Sequence, residues 1–190
     1  MNLKITKDEK VFLGKWVLAN GISWLLGIIV AIVLSYGIVN LFYPEDTNLV
    51  VGLCLGTIVT YSQWFILKQY FIISIWWIFS ASIGIGLPFV LIFIFLELGG
   101  REISISEIEI IDQAILFFFC GLLTGLLQYK VLKSFSNKSA WWIIISGLAW
   151  GVSWFGLFLG GAILGLITGI ALLYLLEFPE KAKRDELKTT

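Results

Sequence analysis

Long apolar blocks separated by short polar stretches make up most of the chain. A helix that crosses a bilayer needs about 20 mostly apolar residues, and six blocks qualify as spans: 16–42, 48–67, 74–98, 107–132, 140–159 and 161–176. Read as one helix, the last two would be far longer than a bilayer is thick. Gly160-Gly161 offers the reversal that makes them a hairpin. The expected architecture is all-α, an integral membrane bundle of six transmembrane helices (16–176) between a cytoplasmic N-terminus (1–15) and a cytoplasmic tail (177–190). Pro44 ends the first helix, Thr47 or Asn48 caps the second, and Ser106-x-x-Glu109 reads as a capping box for the fourth.

The first block has a basic flank (Lys4, Lys7, Lys10, Lys15) like a signal peptide. Its apolar part is about twice a signal's length with no small-residue cleavage site, so it is expected to be retained. The whole chain has 13 Lys+Arg, 13 Asp+Glu and no His. Sorted by side of the spans, that neutrality becomes a dipole: twelve Lys/Arg against six acids on one face, and Arg101 against seven acids on the other. The positive-inside rule places the first face, with both termini, in the cytoplasm of a cell membrane or a thylakoid-type membrane. Trp16, Trp64, Trp76, Trp77, Trp141 and Trp142 all fall at that end. They are expected to form an interfacial aromatic belt.

The chain also aligns with itself. At an offset of 65 residues, Gly56, Gln63, Trp64, Leu67 and Lys68 fall on Gly121, Gln128, Tyr129, Leu132 and Lys133, and Trp76-Trp77 on Trp141-Trp142. The first helix joins with Trp16, Gly21 and Trp24 on Trp142, Gly147 and Trp150, and the sixth with Gly165, Gly169 and Leu176 on Gly121, Gly125 and Leu132. In that register Leu172 replaces the glutamine and Glu177 the lysine. The unit is a helical hairpin used three times. Since each copy starts and ends on the same side, the repeats are parallel, with a pseudo-threefold axis along the membrane normal. Small residues four apart (Gly52, Gly56, Thr60; Gly121, Gly125; Gly161, Gly165, Gly169) form faces on which helices approach closely in lipid. Those faces are expected to turn inward.

The repeated Gly-x6-Gln-Trp-x2-Leu-Lys stretch followed by Trp-Trp resembles a loose group of small, uncharacterised multi-pass bacterial membrane proteins of cyanobacterial type. The resemblance covers most of the chain and implies the repeated-hairpin fold. It implies no activity.

Within the spans, ionisable groups are nearly absent: Glu97 and Lys130 lie near helix ends, within snorkelling reach of water. Gln63, Gln128, Asn20, Ser23, Ser80, Ser82 and Ser146 fall at similar depth, with Trp24 and Trp150 about a turn deeper. This polar layer is either interhelical hydrogen bonding or a cytoplasm-facing vestibule for a small polar ligand or lipid headgroup. Pro88 frees the carbonyl of Gly84 and is expected to kink the third helix. Cys54 and Cys120 lie in apolar blocks and read as small buried hydrophobes. Segment 99–112 reads as a helix-capping connection or an amphipathic surface piece, and 180–190 as a solvated end.

Without histidine there is no Ser-His-Asp or Cys-His arrangement and no His-containing metal site. No paired intramembrane acids and no phosphate-handling basic cluster are present, and no basic run offers a nucleic-acid footprint. The sequence therefore points to a protein without catalytic activity or cofactor, whose partners are the bilayer, itself or another protein. Its expected role is association: scaffold, assembly factor, regulatory subunit or homo-oligomer. The alternative is a small-molecule or lipid-binding transport or channel module. The length and span number also match the substrate-binding membrane subunits of vitamin importers, in size alone.

Overall fold

The computed structural model describes residues 6–39, 47–98 and 110–176, with side chains for 6–37, 52–88 and 110–176. The expected caps at Pro44, Thr47, Asn48 and Ser106–Glu109, Glu97, the 99–112 connection apart from its last residues, and the tail lie outside the described backbone or side chains. Among the described residues there are six α-helices and no strand: α1 (Lys7–Leu34), α2 (Thr47–Leu67), α3 (Trp76–Leu98), α4 (Ile110–Leu132), α5 (Trp141–Phe155) and α6 (Gly160–Leu175). Three apolar helical stretches, Lys7–Gly37, Ile110–Leu132 and Leu157–Leu175, are long enough to cross a membrane, and three shorter ones are Gly52–Leu67, Trp76–Pro88 and Trp141–Phe155.

Local chemistry sets the helix ends. Helix α1 starts nine residues before the apolar block, because Thr6 and Glu9 form a capping box. The Thr6 N–H donates to Glu9 Oε2 (2.7 Å) and the Glu9 N–H to Thr6 Oγ1 (3.2 Å), satisfying two otherwise orphaned donors. At its far end α1 runs on as a π-helical turn, Ser35–Val39. The turns after α2 and α4 are built alike. The Tyr70 and Phe71 N–H groups both donate to the Leu67 carbonyl, as those of Phe135 and Ser136 do to Leu132. Trp77 and Trp142 then donate their backbone N–H groups to Ser74 and Ser139.

The last reversal differs from the expectation. It falls at Gly156–Leu159, in a 3-10 turn with Leu157 at φ 44°, while Gly160 and Gly161 belong to the first turn of α6. The physical reason is packing. A Cβ at Gly160 or Gly161 would collide with the Trp24 ring or its Cβ, so these glycines are committed to helix contact and the turn is made by other residues. Leu157, a non-glycine in the left-handed region, is held there by its carbonyl, which accepts from Trp24 Nε1 (2.9 Å).

Each helix packs on its neighbours in chain order, and α6 returns to pack on α1, closing a ring. Two apolar layers fill it. One gathers Phe12, Trp16, Leu67, Tyr70, Trp77, Leu132, Trp142 and Leu172 at the lysine-bearing end. The other gathers Trp24, Leu55, Ile85, Phe117, Cys120, Trp150 and Leu164. Large hydrophobics such as Leu18, Ile22, Phe79, Phe119, Leu148 and Ile170 are left exposed around the outside.

Candidate functional site: a tryptophan-capped polar layer

Trp16, Trp77 and Trp142 are fully buried rather than interfacial. This corrects the belt for half of its members. Consecutive helical residues point about 100° apart, so only one of each Trp-Trp pair faces the bundle. Trp76 and Trp141 point outward, 39% and 60% exposed. Trp64 is partly buried, donates Nε1 to the Ile73 carbonyl (3.3 Å), and carries the Lys68 ammonium 4.2 Å from its ring centre. The inward rings of Trp77 and Trp142 meet at 5.7 Å, and Phe12 stacks on Trp16 at 5.6 Å.

Each buried indole needs an acceptor. Trp77 Nε1 donates to Gln63 Oε1 (3.3 Å) and Trp142 Nε1 to Gln128 Oε1 (2.9 Å), the same bond at positions 65 residues apart. Trp16 Nε1 donates to Thr168 Oγ1 (2.9 Å), whose hydroxyl in turn donates to the Leu164 carbonyl (2.6 Å). Thr168, not Leu172, therefore holds the glutamine's place on α6.

The glycine contacts give the same register. A Cβ at Gly56 would meet the Ala81 carbonyl and Ile85, and one at Gly121 the Ser146 carbonyl (2.6 Å) and Trp150 Cβ (2.8 Å). One at Gly161 would meet the Asn20 carbonyl and Trp24 Cβ. Likewise Gly125 lies against Ser146 Cβ and Ile143 Cα, and Gly165 against Asn20 Cβ and Val17 Cα. Helix α6 thus aligns with α4 at 40 residues rather than 44, one turn from the sequence alignment. Leu172 then matches Leu67 and Leu132, and all three are fully buried in one cluster. These faces turn toward the neighbouring helix. Gly52 and Thr60 are buried on α2, Thr60 bonding its own Gly56 carbonyl (2.6 Å), and Gly169 packs on Leu13 and Trp16 of α1.

Between the two apolar layers, part of the expected polar layer forms a connected network. Gln63 Nε2 donates to Asn20 Oδ1 (2.8 Å), and Asn20 Nδ2 to the Trp16 carbonyl (2.8 Å). Ser23 donates to the Asn20 carbonyl (3.1 Å) and accepts from Ser62 (3.0 Å). With Trp77 at one end and Thr168 at the other, this chain of bonds joins α3, α2, α1 and α6. Other expected members lie elsewhere. Ser80 bonds its own helix at the Trp77 carbonyl (2.6 Å), Ser82 pairs with Thr57 on the surface (2.8 Å), and Ser146 is buried against Gly121 and Gly125. Trp24 and Trp150 belong to the second apolar layer, 5.9 Å apart, where Phe117 stacks on Trp154 at 4.1 Å. Pro88 lies inside α3, which continues to Leu98. Cys54 and Cys120 are free thiols, the latter buried.

Thr168, Ser62 and the inward tryptophans were missed as a set. A threonine one turn before Leu172 is the only trace of Thr168's role in the sequence, and the repeated tryptophans looked interfacial because of their depth. Chemically the layer consists of neutral hydrogen-bonding groups. No group of three or more His, Cys, Asp or Glu placed to hold a metal occurs among the described residues. The chain matches no known protein family, no curated protein and no solved structure.

Proposed function

We propose that this chain is a six-span membrane protein of three parallel hairpins about a pseudo-threefold axis, with both termini in the cytoplasm, that acts by association. The carrying observation is that its polar layer is turned inward and largely bonded to itself, under a lid of buried tryptophans. A layer of that kind fixes the bundle and leaves the outward surface for contacts. That surface carries large apolar side chains and, at the lysine-bearing end, Lys68, Lys133 and Lys138 over aromatic rings. The recurring indole-to-side-chain bonds and glycine contacts support the repeat reading, and the one-sided lysines support the orientation. A scaffold, assembly factor, regulatory subunit or homo-oligomer fits these features.

Gentle detergent extraction and native mass spectrometry test the role. A protein partner or a defined oligomer is expected, and a stoichiometric small metabolite with no partner overturns it. The competing reading, a ligand-binding vestibule at the polar layer, draws on the free amide donor of Gln128. Gln63→Ala with Gln128→Ala abolishes ligand binding under that reading, and only lowers thermal stability under ours.

A further inference from the structure

Four buried side-chain polar atoms have no hydrogen-bond partner among the described residues, and two of them, Thr124 Oγ1 and Gln128 Nε2, lie one turn apart on α4. Gln128 is 1% exposed. Its Oε1 is committed to the Trp142 indole, and turning the amide over would set NH2 against N–H. The amide nitrogen must therefore find an acceptor elsewhere. At the matching position Gln63 Nε2 reaches across to Asn20, four residues after the inward Trp16. Four residues after the inward Trp77 stands Ala81, fully buried, whose methyl accepts nothing. The donor recurs at this position and the acceptor does not.

The surroundings point to what replaces it. Thr124 lies against α3, since a Cβ at Gly84 would collide with Thr124 Oγ1 and its backbone. The long side chain of Gln128 leans toward the preceding turn, where Thr124 sits. On α3, Pro88 has no N–H to give to the Gly84 carbonyl. A donor and a hydroxyl on α4 and, on α3, a carbonyl without its helical partner thus lie along one seam, in a region where lipid supplies no hydrogen bonds. Buried waters typically make about three hydrogen bonds to such groups.

We propose that the α3/α4 seam binds one internal water, which accepts from Gln128 Nε2, pairs with Thr124 Oγ1 and donates to the Gly84 carbonyl. It stands in for the carboxamide that Asn20 provides on α1.

Magic-angle-spinning NMR of the protein in bilayers, with glutamine side chains labelled with 15N, tests this through water-to-amide transfer. A bound-water cross-peak is expected at the Gln128 amide, assigned by its loss in Gln128→Leu, and none at Gln63. Ala81→Asn restores a direct partner, so the Gln128 resonance persists while its water cross-peak disappears. Absence of the cross-peak from wild-type protein overturns the proposal, as does its survival in Ala81→Asn. Should either variant fail to fold, the wild-type spectrum still decides, with the Gln128 amide assigned through backbone correlations, because absence of its water cross-peak overturns the proposal. A small molecule other than water that copurifies and is released by Ala81→Asn also overturns it.

Discussion

Gln63 and Gln128 are equivalent in sequence and unequal in the fold, and their replacement by leucine, similar in size and apolar, exposes the difference. Gln63 makes two buried side-chain bonds, from the Trp77 indole and to Asn20 Oδ1. Single interhelical hydrogen bonds in membrane proteins are worth about 0.6 kcal/mol on average and at most about 1.7. Gln63→Leu breaks both, strands an indole N–H and a carboxamide oxygen, and costs about 1–3 kcal/mol. Gln128→Leu breaks the single bond from Trp142, and it also removes an amide donor that has no protein partner. A water there returns only part of a direct bond's worth after immobilisation, so the net cost is about 0.5–1 kcal/mol. The two variants should differ by about 1 kcal/mol, roughly fivefold in the unfolding equilibrium. Steric trapping in bicelles measures this. A Gln128→Leu loss equal to or larger than that of Gln63→Leu refutes the reasoning.

The one-turn register of α6 is tested by two glycines. Gly161→Ala drives a methyl into the Asn20 carbonyl and Trp24 Cβ, whereas at Gly169 it meets Leu13 Cδ1 (2.7 Å) and the edge of Trp16, and the leucine can swing aside. Gly161→Ala should therefore lower the thermal midpoint in detergent well beyond Gly169→Ala; the reverse order would restore the sequence alignment. Gly14→Ala, with nothing within 4 Å of the new methyl, should stabilise by about 0.5–1 kcal/mol through helix propensity, read in the same thermal assay. Thr6→Ala removes the α1 capping box and should cost about 1 kcal/mol, seen as faster amide exchange over residues 7–9. In single-tryptophan variants, brominated lipids should quench Trp76 and Trp141 strongly and Trp77 and Trp142 weakly, and equal quenching would contradict the buried triad.

The helices were legible because apolar block length is a coarse signal that tertiary detail barely alters. Which of two adjacent tryptophans faces inward was not, since both share a depth and composition says nothing about rotation about the helix axis. The register of α6 within the proposed repeat is ambiguous in the sequence for a related reason. Gly161, Gly165 and Gly169 repeat every four residues, so the pattern aligns with Gly121 and Gly125 as well when slipped by one turn. Only the partners across the interface, Asn20 and Trp24 against Gly161, break the degeneracy. Gln63 and Gln128 stand out in the sequence as polar positions at one depth, and both are buried, but the sequence held no reason to treat them differently. That reason lies on other helices, in Asn20 and Ala81.

Under the proposed repeat reading, the ring specifies its register with groups that recur and gains distinct seams where recurrence fails. Here the recurring groups are the inward tryptophan, its acceptor and the glycine opposite. The failures are Asn20 against Ala81 and Thr168 in a glutamine's place. They divide the ring into an arc from α3 through α2 and α1 to α6, tied by a run of hydrogen bonds that passes through the Trp16 carbonyl, and an α4/α5 pair joined by Trp142 to Gln128 and Trp154 to Gln113. Between α3 and α4 the described polar link is a long thiol contact from Cys120 to the Ile85 carbonyl (4.0 Å). A seam held mainly by packing separates more readily than one that must also break buried hydrogen bonds. Among the described residues no side-chain hydrogen bond joins α5 to α6 either, so both junctions between the arc and the α4/α5 pair rest mainly on packing.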